Sequence, residues 1–258
     1  MTNLFADFFA ETFQGPAFEY LGTTHLAALG ALLFLNLFLL LFRKSEGGTK
    51  GFIRFLLALI WIGSELAWQY WNYIYGRWTL QTMLPLVFRS FLVWIGAWML
   101  LTKSYKIYEL MYFAGIVVGV WGLALTELGA YNFPHFLYFH YFISYGLILT
   151  SALYMTLVQG LRPTVKSMLR VFIKMNIFVG IVYLVNMVIG SNYLGINSRS
   201  DFPGMLAWLP EWPIYIVYME LIGIVAMLLL YLPFAIKDLL TRYFMNRDNA
   251  SRLESISK

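Results

Sequence analysis

Residues 84–94 read Leu84-Pro85-Leu86-Val87-Phe88-Arg89-Ser90-Phe91-Leu92-Val93-Trp94, and the apolar run continues to Leu101 before the next charge, Lys103. A guanidinium that never deprotonates stands here inside what reads as a membrane helix, where insertion scales put its penalty at about 2.5–3.5 kcal/mol. It needs a counter-charge, and two carboxylates, Glu65 and Glu220, lie in other apolar runs.

Composition agrees with a chain built for a bilayer. Of 258 residues 60% are hydrophobic and 12% charged, with a mean hydropathy of +0.69, whereas soluble domains carry about 25% charged residues. The expected class is all-α, a polytopic membrane protein with a seven-helix transmembrane bundle over 1–236 and a polar cytoplasmic tail over 237–258. Without cysteine, disulfides, thiolate metal sites and thiol nucleophiles are excluded. The first twenty residues hold Asp7, Glu11 and Glu19 and no basic stretch, which argues against a cleaved secretory signal.

Seven apolar runs approach the ~20 residues a span requires, at about 22–42, 52–71, 82–102, 107–128, 136–158, 170–190 and 213–236. Between them lie turn-forming stretches: Ser45 to Gly48, Asn132-Phe133-Pro134, Arg162-Pro163 and the link from Gly190 to Pro213. Fifteen of the 18 basic residues fall on one side of this seven-span arrangement, among them Arg43, Lys44, Lys50, Arg54, Lys103, Lys106, Arg162, Lys166, Arg170, Lys174 and Lys237. The other side holds only Arg77 and Arg199. Lysine and arginine bias then predicts an N-terminus outside the cell membrane and a C-terminus in the cytoplasm. The net charge of +5 sits in loops, so nucleic acid is not an expected partner.

With that orientation, Glu65, Arg89 and Glu220 each stand six or seven residues below the outer boundary, roughly 9–11 Å at 1.5 Å per residue. Glu65, Gln69 and Asn72 share a helix face; His140 and Ser144 are one turn apart, with His135 above them, His25 opening the first run and Asn186 near the end of the sixth. Asn36 and Asn176 lie toward the other ends. The expected site is therefore an outward-facing polar pocket formed by Arg89, Glu65, Glu220, Gln69, His140, Ser144 and Tyr145. The same matched depths also fit a closed ion pair that only ties helices together. His25 and His135 have capping readings, and Trp61, Trp68, Trp71, Trp78, Trp94, Trp98, Trp121, Trp208 and Trp212 read as an interfacial belt. No metal-ligand spacing and no cofactor motif is present, although three-dimensional convergence of the three histidines remains open.

At Trp68-Gln69-Tyr70-Trp71-Asn72, Leu80-Gln81, Leu84-Pro85-Leu86, Phe133-Pro134-His135-Phe136, Phe142-Ile143-Ser144-Tyr145-Gly146, Arg162-Pro163-Thr164 and Asn186 to Tyr193, the chain resembles the YwaF-type family. These are multi-pass membrane proteins of Gram-positive bacteria, distantly similar to a eukaryotic transmembrane acyltransferase that remodels ether phospholipids and to membrane hydrolases of fatty-acid esters. In the family pattern Leu-Pro-Leu is followed by His-Leu-Cys, and the later motif reads Ser-His-Gly. Here Arg89 stands at the cysteine position and Tyr145 at the histidine position, so the thiolate chemistry the relatives imply is missing.

Three functions follow as expectations. In one, the pocket binds an anionic lipid or a small acid, with Arg89 as clamp. In another, implied by the resemblance, it is a membrane-embedded acyltransferase or lipid hydrolase using His140, Ser144 or Ser90. A carrier exploiting Glu65 and Glu220 is the third; the lack of inverted repeats and of polar continuity through the inner half stands against it.

Overall fold

The computed structural model describes residues 7–198 and 209–256, without side chains from 246 onward; Arg199, Asp201, Trp208 and Lys258 lie outside the described residues. Every regular element described is helical. We number them α1 (Thr23–Leu40, extended by a tight turn, Leu41–Lys44), α2 (Gly47–Ile74), α3 (Phe88–Thr102), α4 (Tyr105–Ala124), α5 (Phe136–Leu157), α6 (Val165–Ile189) and α7 (Ile214–Ile256).

Six of these are long and apolar enough to cross a membrane, and α3 is not. Its 15 residues reach only about 22 Å, short of the ~30 Å hydrocarbon layer. Within the expected span at 82–102 the helix thus begins only at Phe88, and the cause is local. Pro85 pushes Leu84 away from helical geometry, so residues 79–87 run as turns. The Leu84 N–H is satisfied by the Tyr193 hydroxyl, 2.9 Å away, which itself donates to the Leu80 carbonyl. Residues 79–82 and Pro85 are exposed, whereas Leu84, Leu86 and Val87 are half-buried and pack on Val182, Tyr193 and Ile196.

α4 and α5 form the centre: 61% and 67% of their spanning windows are buried, against 11% for α1 and α6 and 6% for α7. α2 and α3 pack together and both touch α5, while α4 lies along α5. Small residues permit these approaches. A Cβ on Gly96 would lie 2.4 Å from the Trp61 ring, and one on Gly122 would lie 2.2 Å from Tyr145. α4 holds a π-helical turn, Met111–Gly115. Just after its first residue, the Tyr112 hydroxyl donates to the Leu230 carbonyl of α7. α7 is anchored there through Met227, Leu230, Tyr231 and Phe234, whereas Val217, Tyr218, Leu221 and Val225 above are exposed.

The bundle has two unlike ends. At the basic end, Arg170 pairs with Glu109, a carboxylate that is 1% exposed, and Arg162 pairs with Asp238. At the opposite end, where α2 stops and α3 and α5 start, residues 7–20 cross the bundle as a strap.

Candidate functional site

α2 presents Ser64, Glu65, Trp68 and Gln69 toward α3 and α5, on the face that its 3- and 4-residue spacings define. Glu65 is fully buried. Arg89 is the second residue of α3, not the interior residue the sequence suggested. A cation in a helix's first turn opposes the macrodipole, and α3 has no acidic residue there. Glu65 supplies the missing negative charge, its Oε2 lying 3.6 Å from Arg89 Nη1.

The same Nη1 donates to His140 Nε2 and, at 3.1 Å, to Ser144 Oγ, both on α5. Arginine has no acceptor, so His140 Nε2 must offer its lone pair and Nδ1 carries the proton. That proton meets Ser64, whose carbonyl and hydroxyl oxygens lie 3.1 and 3.0 Å from Nδ1. The Trp68 indole stacks on His140 and also faces the guanidinium. Gln69 donates to Glu65 Oε1 at 3.3 Å and to the Met83 carbonyl at 3.4 Å, while accepting from Trp78 at 2.8 Å. This fastens the irregular segment before α3 to α2.

Three engaged partners therefore hold one nitrogen of Arg89, and no hydrogen bond among the described residues uses its Nε or Nη2. The side chain is 12% exposed. Nε–H and Nη2–H form the planar edge that meets carboxylates and phosphates bidentately.

Several expected members stand elsewhere. Glu220 is half-buried and makes no ion pair among the described residues; its neighbours Val217, Tyr218 and Leu221 are exposed. Tyr145 packs into the notch at Gly122 and against Tyr141, on the α4 side. Ser90 is buried beside Arg89 in sequence, yet neither it nor Ser144 is the hydroxyl on His140; that hydroxyl is Ser64. Ser64 and Trp68 are not singled out by the sequence, although Trp68 lies one turn from both Ser64 and Glu65: a serine in an apolar helix is ordinary and a tryptophan near its end fits an interfacial belt. Trp68 is half-buried, Trp61 and Trp71 are buried, and Trp78, Trp94, Trp98, Trp121 and Trp212 are exposed.

The other polar groups are structural. His25 Nδ1 accepts from the Leu21 N–H and Nε2 donates to the Leu123 carbonyl. His135 caps α5 by accepting from the Leu137 N–H. Asn186 organises the turn after α6 through Ser191, Tyr193 and Asn197. Asn36 ties α1 to Thr150 of α5, and Asn176 bonds only its own helix. Among the described residues no group of three histidines or carboxylates could hold a metal, so the three histidines do not converge.

The family model described as the TMEM164 family matches residues 20–231. No curated protein and no solved structure matches the chain.

Proposed function

Because this chain belongs to the TMEM164 family, matched over most of its length, and is an apolar multi-helix membrane protein, we propose that it binds an anionic lipid group or small acid at Arg89. The observation that carries this reading is the uncommitted Nε/Nη2 edge of a guanidinium whose remaining nitrogen is fixed by Glu65, His140 and Ser144. A residue serving only as a helix tie has no need of a preorganised, partly accessible fork. Gln69 and Trp68 hold the frame.

In the same proposal seven helices span the cell membrane, α3 completing its crossing with residues 79–87. The strap end faces outward and the basic end, with the tail from Lys237 onward, faces the cytoplasm. The distribution of basic residues supports this orientation, and the motifs around Leu84-Pro85-Leu86 support the YwaF-type bacterial branch. The test is titration of the purified protein with palmitate, lysophosphatidate and inorganic phosphate. Arg89→Lys, which keeps charge and loses the fork, is expected to weaken binding at least about tenfold (about 1.4 kcal/mol), and Arg89→Gln to abolish it. Unchanged affinity in a folded Arg89→Gln protein overturns the reading.

A second reading, an acyltransferase or lipid hydrolase, draws on the contact between Ser64 Oγ and His140 Nδ1. With Nε2 occupied by Arg89, Nδ1 is protonated and offers Ser64 no base. Turnover of labelled phospholipid or lysophospholipid, lost in Ser64→Ala, would reinstate it.

A further inference from the structure

Most hydrogen bonds that hold the strap run from bundle side chains to its backbone; the Phe18 N–H adds one to the Gly129 carbonyl at 3.1 Å, and Phe8 and Phe18 pack on the bundle. The Phe9 carbonyl accepts from Trp71 Nε1 at 3.0 Å and from the Tyr75 hydroxyl at 2.8 Å; the Ala10 carbonyl accepts from His135 Nε2 at 2.9 Å. The Glu11 carbonyl accepts from the Tyr131 hydroxyl at 2.7 Å, its carboxylate from Arg77 at 3.1 Å, and the Ala17 carbonyl from Asn132 at 3.3 Å. Trp71, His135 and Asn132 are buried, yet no residue from 7 to 20 is. The seat is built into the bundle, and the segment on it is peripheral.

What lies beneath is the wall of the Arg89 centre. Phe8 packs on the cluster of Trp71, Phe136 and Leu137, against which Trp68 also packs, and the Phe8 and Phe9 rings are 6.2 and 5.3 Å from that of Phe136. Phe136 and Trp68 in turn flank His140, with ring centroids 5.9 and 4.9 Å away. One layer of aromatic rings thus separates the strap from the imidazole that fixes Arg89.

We infer that residues 7–20 form a releasable lid that controls access to the Arg89 centre from this end of the bundle. Segments held by exposed hydrogen bonds and few buried contacts open at lower free energy than packed helices, and surface ion pairs such as Arg77–Glu11 add little. Three of its polar fastenings, the Tyr75 and Tyr131 hydroxyls and the Arg77 guanidinium, can be removed without disturbing the rings. The inference rests on the anion reading only for what the lid admits.

The chain's lack of cysteine allows Ser144→Cys to serve as a lone reporter in the full chain, reconstituted in phosphatidylcholine nanodiscs. Its modification by sulfonatoethyl methanethiosulfonate is expected to be slow. In a Tyr75→Phe/Tyr131→Phe/Arg77→Gln background, which keeps Tyr75 and Tyr131 as rings but removes two hydroxyl donors and an ion pair, the rate is expected to rise about tenfold, equivalent to about 1.4 kcal/mol. Hydrogen exchange of the α5 amides is read in parallel and is expected to stay protected. An unchanged rate, or one that rises only together with α5 exchange, overturns the lid. No ligand enters this assay, so its outcome is separate from failure of anion binding.

Discussion

The imidazole of His140 lies parallel to the indole of Trp68, with centroids 4.9 Å apart and planes within 4°. The carbon of the Arg89 guanidinium stands 5.4 Å from that same indole. One aromatic surface thereby sets the plane of the histidine and attracts the cation that the histidine accepts from. Trp68→Leu removes both contacts and is expected to destabilise the protein by about 2 kcal/mol, the sum of a typical aromatic pair and a partly desolvated cation–π contact. Trp68→Phe should retain roughly half. Thermal unfolding in detergent, with palmitate titration alongside, checks both; equal behaviour of the two variants would show that the indole only fills space.

Glu65 and Glu220 separate cleanly in their expected effects. Glu65→Leu leaves a largely buried arginine without its carboxylate, at a penalty of about 3–5 kcal/mol. Glu65→Gln keeps the shape and removes a competitor for Arg89, so affinity for an added anion is expected to increase about tenfold, or about 1.4 kcal/mol. Glu220→Gln touches no ion pair among the described residues and should shift stability by no more than about 0.5 kcal/mol. If Glu220→Gln instead mirrors Glu65→Gln in the titration, the pairing described for Arg89 is wrong.

These contrasts mark how far the amino-acid sequence could be read. Six long apolar helices were legible because hydropathy over some twenty residues has few competing explanations, and Glu65 could be matched to Arg89 because an intramembrane cation requires an anion. The late start of α3 was less legible: Pro85 gave a local warning, but the tyrosine that satisfies the unwound backbone, Tyr193, lies more than 100 positions later. The separation of Glu220 from Arg89 depends on which half of α7 is packed, a property of tertiary contacts that equal depth does not encode. Glu109 stands in an apolar run, but its partner Arg170 lies 61 positions later and reads as one more basic-end charge. Trp68 was hidden by a compositional habit, since tryptophans are common at interfaces and the sequence alone does not say which turn inward.

Gly96 is where α3 admits Trp61. A Cβ there would meet two atoms of the indole's outer edge at 2.4 and 2.5 Å, and Trp61 is wholly buried with no room to swing away. Gly96→Ala is therefore expected to destabilise the bundle by about 1–3 kcal/mol through overpacking. Trp61→Leu in the same chain removes the clashing edge, so the double variant should lose less than the sum of the two single changes. Strict additivity in thermal unfolding would place the strain elsewhere.

His135 makes the strap end sensitive to acid. Its ring is buried, which pushes its pKa below the ordinary histidine value of about 6.5, while the hydrogen bond to the Ala10 carbonyl partly opposes that shift. Protonation would also cancel the Nδ1 lone pair that caps α5 through the Leu137 N–H and place a cation at a helix N-terminus. Because the folded pKa is depressed, the unfolded chain takes up the proton first. The stability contributed by neutral His135 is complete above about pH 6.5 and is lost as pH falls through that value toward the lower folded one. His135→Asn retains a capping acceptor and removes this titration, so between pH 7 and pH 5 its unfolding midpoint is expected to fall less than that of the parent protein. Parallel curves for the two proteins over that interval would assign the acid sensitivity to other groups.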